Sequence, residues 1–135
     1  LADDSGLEVD VLDGEPGIHS ARYGGLGKSD IDRNRLLLKN LDCFQPHQLT
    51  ARFRCVVAIW QPKTRPVNKI ETFEGSVEGL IIKEPKGDQG FGYDPLFYYP
   101  PYGKTLGEVS KAEKEKVSHR GQAVRQAVEY LKTSL

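Results

Sequence analysis

Methionine is absent from the 135 residues, cysteine occurs twice and tryptophan once. Two thiols, Cys43 and Cys55, are too few for a disulfide framework, and the histidines complete no zinc-ligand spacing with them. Both are expected to be reduced, Cys55 as a small core residue inside an apolar run and Cys43 in a loop. No stretch approaches the roughly 18 apolar residues of a spanning helix, and no signal-peptide pattern opens the sequence, so no membrane partner is expected and the cytoplasm is the default location. There is no excess charge of either sign: 19 Lys plus Arg balance 19 Asp plus Glu. That balance gives no global basic field for a nucleic-acid polymer, so any polyanion must be gripped locally. Without methionine, and with Leu1 standing in mid-motif, the sequence is expected to continue upstream.

What is present suits one globular domain, with 38% apolar and 28% charged residues. Leu7, Val9 and Val11 alternate with Glu8 and Asp10, which predicts a half-buried strand over residues 5–12 ended by Asp13-Gly14. Residues 18–23 lie between Pro16-Gly17 and Gly24-Gly25 and read as a shaped loop. Ser29 and Asp32 form a capping-box pattern ahead of Ile31, Leu36, Leu37, Leu38 and Leu41, the first helix. After a break at residues 45–48, Phe53, Cys55, Val57 and Ile59 share one strand face and Arg54, Val56, Ala58 and Trp60 the other, which predicts a central strand. A polar turn is expected at residues 62–66. A second long strand then carries Phe73, Val77 and Ile81 on its apolar face, where Gly75 and Gly79 suggest close backbone approach or bulges. Residues 83–103 resist assignment to one element. Ser110 and Glu113 cap a short charged helix, and Val124, Ala127, Val128, Leu131 and Leu135 give a terminal amphipathic helix. Strands mixed with helices indicate an α/β class.

Three motifs carry candidate chemistry. In Ala2-Asp3-Asp4-Ser5-Gly6 two carboxylates precede a strand. Neighbouring strand residues face opposite ways, so only one Asp can look into a given site unless the backbone turns there. A carboxylate facing phosphates requires a divalent cation between them, and Mg2+ prefers oxygen ligands. The competing reading is a turn with solvated carboxylates. Gly90-Phe91-Gly92-Tyr93-Asp94-Pro95 offers either a stacking surface for a base or an aromatic turn that anchors a loop. Ser118-His119-Arg120 stands where one helix ends and another begins, with Ser118 placed as an N-cap; its polar groups are either hydrogen-bond donors to a base or phosphate, or surface residues flanking the cap. Lys114 on a Lys- and Glu-rich face reads by itself as solvated charge.

The order of these motifs, together with Pro16-Gly17-Ile18-His19-Ser20-Ala21-Arg22-Tyr23, Arg52-Phe53-Arg54-Cys55 and the stretch from Thr105 to Glu108, resembles the inosine triphosphate pyrophosphatase family over nearly the whole sequence. The resemblance implies an α/β fold with a mixed central β-sheet flanked by helices. It also implies Mg2+-dependent cleavage of inosine, deoxyinosine or xanthosine triphosphate to the monophosphate and pyrophosphate. By resemblance Asp4 is the catalytic carboxylate and a metal ligand, Asp3 a second metal-ligand candidate, and Ser5, Phe91, Gly92, Tyr93, Asp94, Lys114, His119 and Arg120 bind the purine nucleoside triphosphate. Homodimers are usual in that family. Its opening strand and Ser/Thr-Gly-Asn-x-x-Lys phosphate loop, with the acidic metal ligand that follows, do not occur here, so the sequence is expected to be the C-terminal two-thirds of such a domain. Gly107 and Glu115 depart from the common residues near Lys114. A related pyrophosphatase of pyrimidine or modified nucleotides and a non-catalytic nucleotide-binding module are the alternatives.

Overall fold

Leu7 and Val9 are fully buried while Glu8 between them is half-buried, the period-two signature of a strand with one face on the core. In the computed structural model, which describes residues 2–61 and 69–134, this strand is β1, Ala2–Val9. It starts earlier than the expected residues 5–12 and stops at Val9. There the chain tightens into a single 3-10 turn, Asp10–Leu12, closed by the Asp13 N–H on the Asp10 carbonyl and the Gly14 N–H on the Val9 carbonyl. The strand extends upstream because β2 offers partners as far as Ala58, opposite Ala2.

The remaining strands are β2, Thr50–Gln61, β3, Lys69–Ile81, β4, Phe97–Tyr99, and β5, Lys104–Thr105. They form one five-stranded sheet in sequence order. Every described pairing is antiparallel. Helices α1, Asp30–Asn40, α2, Lys111–Val117, and α3, His119–Ser134, flank it, as a fold of mixed sheet and helices requires. The polar turn expected at residues 62–66 lies outside the described residues. Among the described residues no helix is long and apolar enough to cross a membrane.

Both capping boxes form. The Asp32 N–H donates to Ser29 Oγ at 3.1 Å and the Ser29 N–H to Asp32 Oδ2 at 3.2 Å. Ser110 and Glu113 repeat the exchange at the start of α2. Ser118 ends α2 and its Oγ accepts from the Gly121 N–H at 3.2 Å, so one residue turns the chain from α2 into α3.

One sheet face carries the core. Leu7, Val9, Phe53, Val77 and Ile81 pack with Leu37 and Leu41 of α1, and with Tyr93, Leu96, Phe97, Leu106 and Val109 from the segment that the sequence left unassigned. Farther along the same face Cys55, Val57 and Ile59 pack with Ala123 and Ala127 of α3. Gly75 and Gly79 are sites of close approach, as their position on the apolar face suggested. A Cβ at 75 would lie 2.1 Å from the His119 carbonyl oxygen, and one at 79 would lie 2.4 Å from that of Tyr98.

The reverse face is different. β2 is central in the pairing order, but Val56 and Ala58 there are only half-buried and Trp60 is exposed. Arg52 reaches Asp10 at 3.0 Å and Glu78 at 2.9 Å, and Arg54 pairs with Glu74. The apolar alternation of β2 was therefore misleading on this face, where a charged ladder crosses the strands. Both thiols are free, Cys43 exposed and Cys55 buried.

Candidate active site

A cleft of about 640 Å³ opens over the core face of the sheet, between the α1 side and the α2–α3 side. Ser5, Leu7 and Phe53 of the sheet, Ser20, Asp30 and Arg33, the loop from Gln89 to Asp94 that these touch, and Lys114, Ser118, His119 and Arg120 line it. Three segments far apart in sequence thus meet in one concave site. Of the residues expected to form a site, Ser5, Phe91, Gly92, Tyr93, Asp94, Lys114, His119 and Arg120 line it, and Asp3 and Asp4 do not.

The aromatic loop is built around a buried carboxylate. Asp94 is 3% exposed, and its Oδ2 accepts from the Phe91 N–H at 3.0 Å and from Lys114 Nζ at 2.5 Å. Gly90 has φ +73°, and a Cβ there would lie 2.2 Å from Asp94 Oδ2, so both the turn and the carboxylate require glycine at this position. Lys114 Nζ also lies 4.3 Å from the centroid of the Phe91 ring, and that ring is 73% exposed. Phe91 is thus a large exposed aromatic at the cleft, backed by a largely buried ion pair. Lys114 is therefore tied to the Phe91 side of the cleft and is not part of a solvated Lys- and Glu-rich face. Tyr93 points inward: its hydroxyl donates to the Ser20 carbonyl at 2.6 Å, and burial pushes its pKa up to about 12, so it remains a donor.

Ser20 ties this loop to β1. Its Oγ accepts from the Leu7 N–H at 2.8 Å and donates to the Gly17 carbonyl at 2.7 Å. The segment expected to be a shaped loop is a 3-10 stretch, Gly17–Arg22, and its 8%-exposed serine joins the strand that bears Asp3 and Asp4 to the aromatic loop.

At the α2–α3 corner the His119 ring stacks on Phe53, with centroids 5.2 Å apart and planes inclined by 14°. Burial first, and then the positive charges of Arg120 and Lys114, hold its pKa down at about 4, with Asp3 opposing weakly. At neutral pH the ring is uncharged and presents one N–H donor and one acceptor. The unfolded ring, with an ordinary value near 6.5, takes up a proton that the folded one refuses between about pH 6.5 and 4, so stability is lost as pH falls through that window. The urea midpoint is expected to drop between about pH 7 and pH 5, and part of that drop should vanish in His119→Gln. A parallel pH dependence in the two proteins would refute the buried neutral ring.

The adjacent carboxylates are divided by the sheet. Asp3 lies on the cleft face, where its Oδ2 is 3.1 Å from Arg120 Nε, and Arg120 Nη2 donates to Ser5 Oγ at 3.4 Å. Asp4 is opposite Val56, which in turn is opposite Glu74, on the reverse face. Neither aspartate lines the cleft. Asp4 is exposed at the outer edge of the sheet, and its side chain makes no hydrogen bond or ion pair among the described residues. The described residues contain no group of three or more His, Cys, Asp or Glu that could hold a metal ion. Mg2+, however, is commonly held by one or two carboxylates together with substrate phosphates and water. The exposed Asp4 carboxylate, at the outer edge of β1 and on the sheet face away from the cleft, suits that manner of binding for phosphates that pass that edge. Asp3, already engaged by Arg120, suits it less.

Several cleft residues carried no signal in the sequence: Asp30, Arg33, Val109 and Lys111 line it with the motif residues, and Ser20, part of the Pro16–Tyr23 motif, had no role assigned to it. Asp30 was legible only as the first residue of a capped helix, and nothing local links it to a loop 62 residues away.

Comparison with known proteins gives one family. The model of the Ham1 family matches residues 1–130. The sequence is 52% identical over 131 residues to the dITP/XTP pyrophosphatase of Desulforamulus reducens, covering 97% of this chain and 63% of that protein. It is 48% identical over 132 residues to the protein of the same name from Thermus thermophilus, covering 98% and 61%. Among solved structures, the Staphylococcus aureus Ham1 protein superposes with a TM-score of 0.90 at 41% identity, covering 99% of this chain and 67% of that one. A nucleoside-triphosphatase, dITP/XTP pyrophosphatase, from Mycobacterium abscessus gives 0.81 at 37% identity, covering 96% and 64%. The chain therefore spans somewhat less than two-thirds of the curated relatives' length, 63% of the first.

Proposed function

The chain belongs to the Ham1 family, and we propose that the protein carrying it hydrolyses non-standard purine nucleoside triphosphates, inosine, deoxyinosine or xanthosine triphosphate, to the monophosphate and pyrophosphate. The observation that carries this reading is the cleft itself. The Phe91 ring above the Asp94–Lys114 pair shares the cleft with a corner bearing neutral His119 and cationic Arg120, and Ser5 and Asp3 of β1 lie beside that corner. The named relatives act on the same class of nucleotide, which agrees with it.

A purine stacks on Phe91, with Lys114 and the His119–Arg120 corner around its edge. A 6-oxo purine presents an acceptor where adenine presents an amino donor. Arg120 has only donors and Lys114 only donors, so an amino group there is left facing donors, and this is the strong form of discrimination. Attack at the α-phosphorus forms a bond from the water oxygen to phosphorus and breaks the bond to the oxygen that leaves with pyrophosphate. On this reading the triphosphate passes the outer edge of β1, where the exposed Asp4 carboxylate accepts the proton of that water and orients it. When bound, Mg2+ supplies positive charge to the phosphate oxygens, with Asp4 as its protein ligand and Asp3 as a second candidate. Zero net charge favours a small nucleotide over a polymer. Cytoplasmic location and homodimer formation belong to the same proposal.

The test is pyrophosphate release by the full natural protein, with and without Mg2+, from inosine, xanthosine, adenosine, thymidine and uridine triphosphates. Preference for the 6-oxo purines is expected; a preference for thymidine or uridine triphosphate would move the protein to the pyrimidine-directed group. Arg120→Ala is expected to raise KM for inosine triphosphate roughly tenfold or more with little effect on folding, since its side chain is 54% exposed and its partners are on the cleft rim. An unchanged KM would remove Arg120 from base recognition.

A further inference from the structure

Two side chains of α1 close on a single residue of the aromatic loop, one on each of the two peptide groups that flank it. Asp30 Oδ2 accepts the Gly92 N–H at 3.0 Å, and Asn34 Nδ2 donates to the Gly92 carbonyl at 3.1 Å. The two residues are one helical turn apart and so share a helix face. Asp30 is itself held in place: Arg33 Nη2 donates to its Oδ1 at 2.7 Å while Arg33 Nη1 donates to the Lys28 carbonyl at 2.6 Å. Gly92 stands between Phe91, whose ring is exposed at the cleft, and Tyr93, whose hydroxyl is fixed on Ser20. Holding both peptide groups of Gly92 fixes φ and ψ of that residue and, with the Phe91 N–H on Asp94, sets the backbone from which the Phe91 ring projects.

The cost of the arrangement argues for its purpose. Asn34 Oδ1 is buried without a hydrogen-bond partner among the described residues. A buried unpaired carbonyl oxygen is unfavourable, and an apolar side chain of the same shape would avoid it. The amide at 34 is accounted for by what its NH2 group does to Gly92.

We propose that Asp30 and Asn34 are positioning residues of the base-binding loop, which set the placement of the Phe91 ring and hence the affinity for the purine without touching the phosphates. The proposal rests on reading the cleft as a purine site. It predicts an effect confined to ligands that carry a base.

The test uses the full natural protein and three variants. Asn34→Asp removes the donor at constant shape, and Asp30→Ala removes the acceptor. Asp30→Asn keeps a carbonyl oxygen for the Gly92 N–H. The first two are expected to raise KM for inosine triphosphate roughly tenfold with kcat within about twofold, and to weaken product inhibition by inosine monophosphate by the same factor. Inhibition by pyrophosphate should not change, and Asp30→Asn should stay close to wild type. Thermal melts by circular dichroism check that each variant is folded. Equal weakening of monophosphate and pyrophosphate, or no change in either while wild type is active, overturns the clamp. Wild-type protein inert toward inosine triphosphate overturns the purine reading, and the clamp falls with it; that outcome is distinct because it appears before any variant is made.

Discussion

Asp4→Asn is expected to lower kcat for inosine triphosphate about a thousandfold, in the range for loss of a positioned proton acceptor, while changing KM by less than about threefold. The amide keeps the size of the side chain but can neither take a proton from water nor ligate a cation as a carboxylate does. Folding should be untouched, because the Asp4 side chain is exposed and makes no hydrogen bond or ion pair among the described residues. Asp3→Asn is the informative neighbour. Asp3 holds Arg120 from the cleft face at 3.1 Å, so its loss should act on KM through Arg120 and leave kcat largely intact. Initial rates over a range of substrate concentrations separate the two. A large kcat defect in Asp3→Asn with a normal Asp4→Asn would exchange their roles and make the cleft-facing carboxylate the reactive one.

That pair also marks a limit of what could be read in advance. Strand alternation required the two aspartates to face opposite ways, and the sheet does divide them, but pattern alone did not say which would face the helices. The answer depends on the register of β1 on β2, set by Leu7 opposite Phe53 and Val9 opposite Ala51 in the core. Elements with a strong local period were legible: α1 and α2 with their capping boxes, the terminal helix, and the two long strands. Their ends were less so, because the 3-10 turn after Val9 is a matter of backbone hydrogen bonds that no side chain announces. Residues 83–103 were opaque for a related reason. Their order comes from hydrogen bonds across loops: Asp94 accepts from the Phe91 N–H and from Lys114, and Thr105 Oγ1 donates to the Lys86 carbonyl at 2.7 Å. The site was readable as four separate motifs, while the α1 wall was not, since it meets the aromatic loop only through long-range contacts.

Gly75→Ala is expected to cost about 3 kcal/mol in urea unfolding, at the upper end for overpacking, and also to raise KM for inosine triphosphate at least tenfold, on the order of a lost recognition hydrogen bond. The added methyl would sit 2.1 Å from the His119 carbonyl oxygen, 2.6 Å from Gln122 Cβ and 3.0 Å from the Ala123 nitrogen. Two of these three atoms are backbone, so no rotamer change relieves the contact and the first turn of α3 must lift from β3. Lifting it draws His119 off Phe53 and carries Arg120 with it, which is how a core substitution reaches the cleft. Gly79→Ala is the control. Its methyl would meet the Tyr98 carbonyl oxygen at 2.4 Å and the Phe97 ring at 2.7 Å, on the β4 side and away from α3. It should destabilise the protein by a similar amount, about 1–3 kcal/mol, with KM near the wild-type value when assayed well below its melting temperature. Equal KM defects in both variants would mean that stability alone limits binding, and that the seam between Gly75 and α3 has no particular hold on the His119–Arg120 corner.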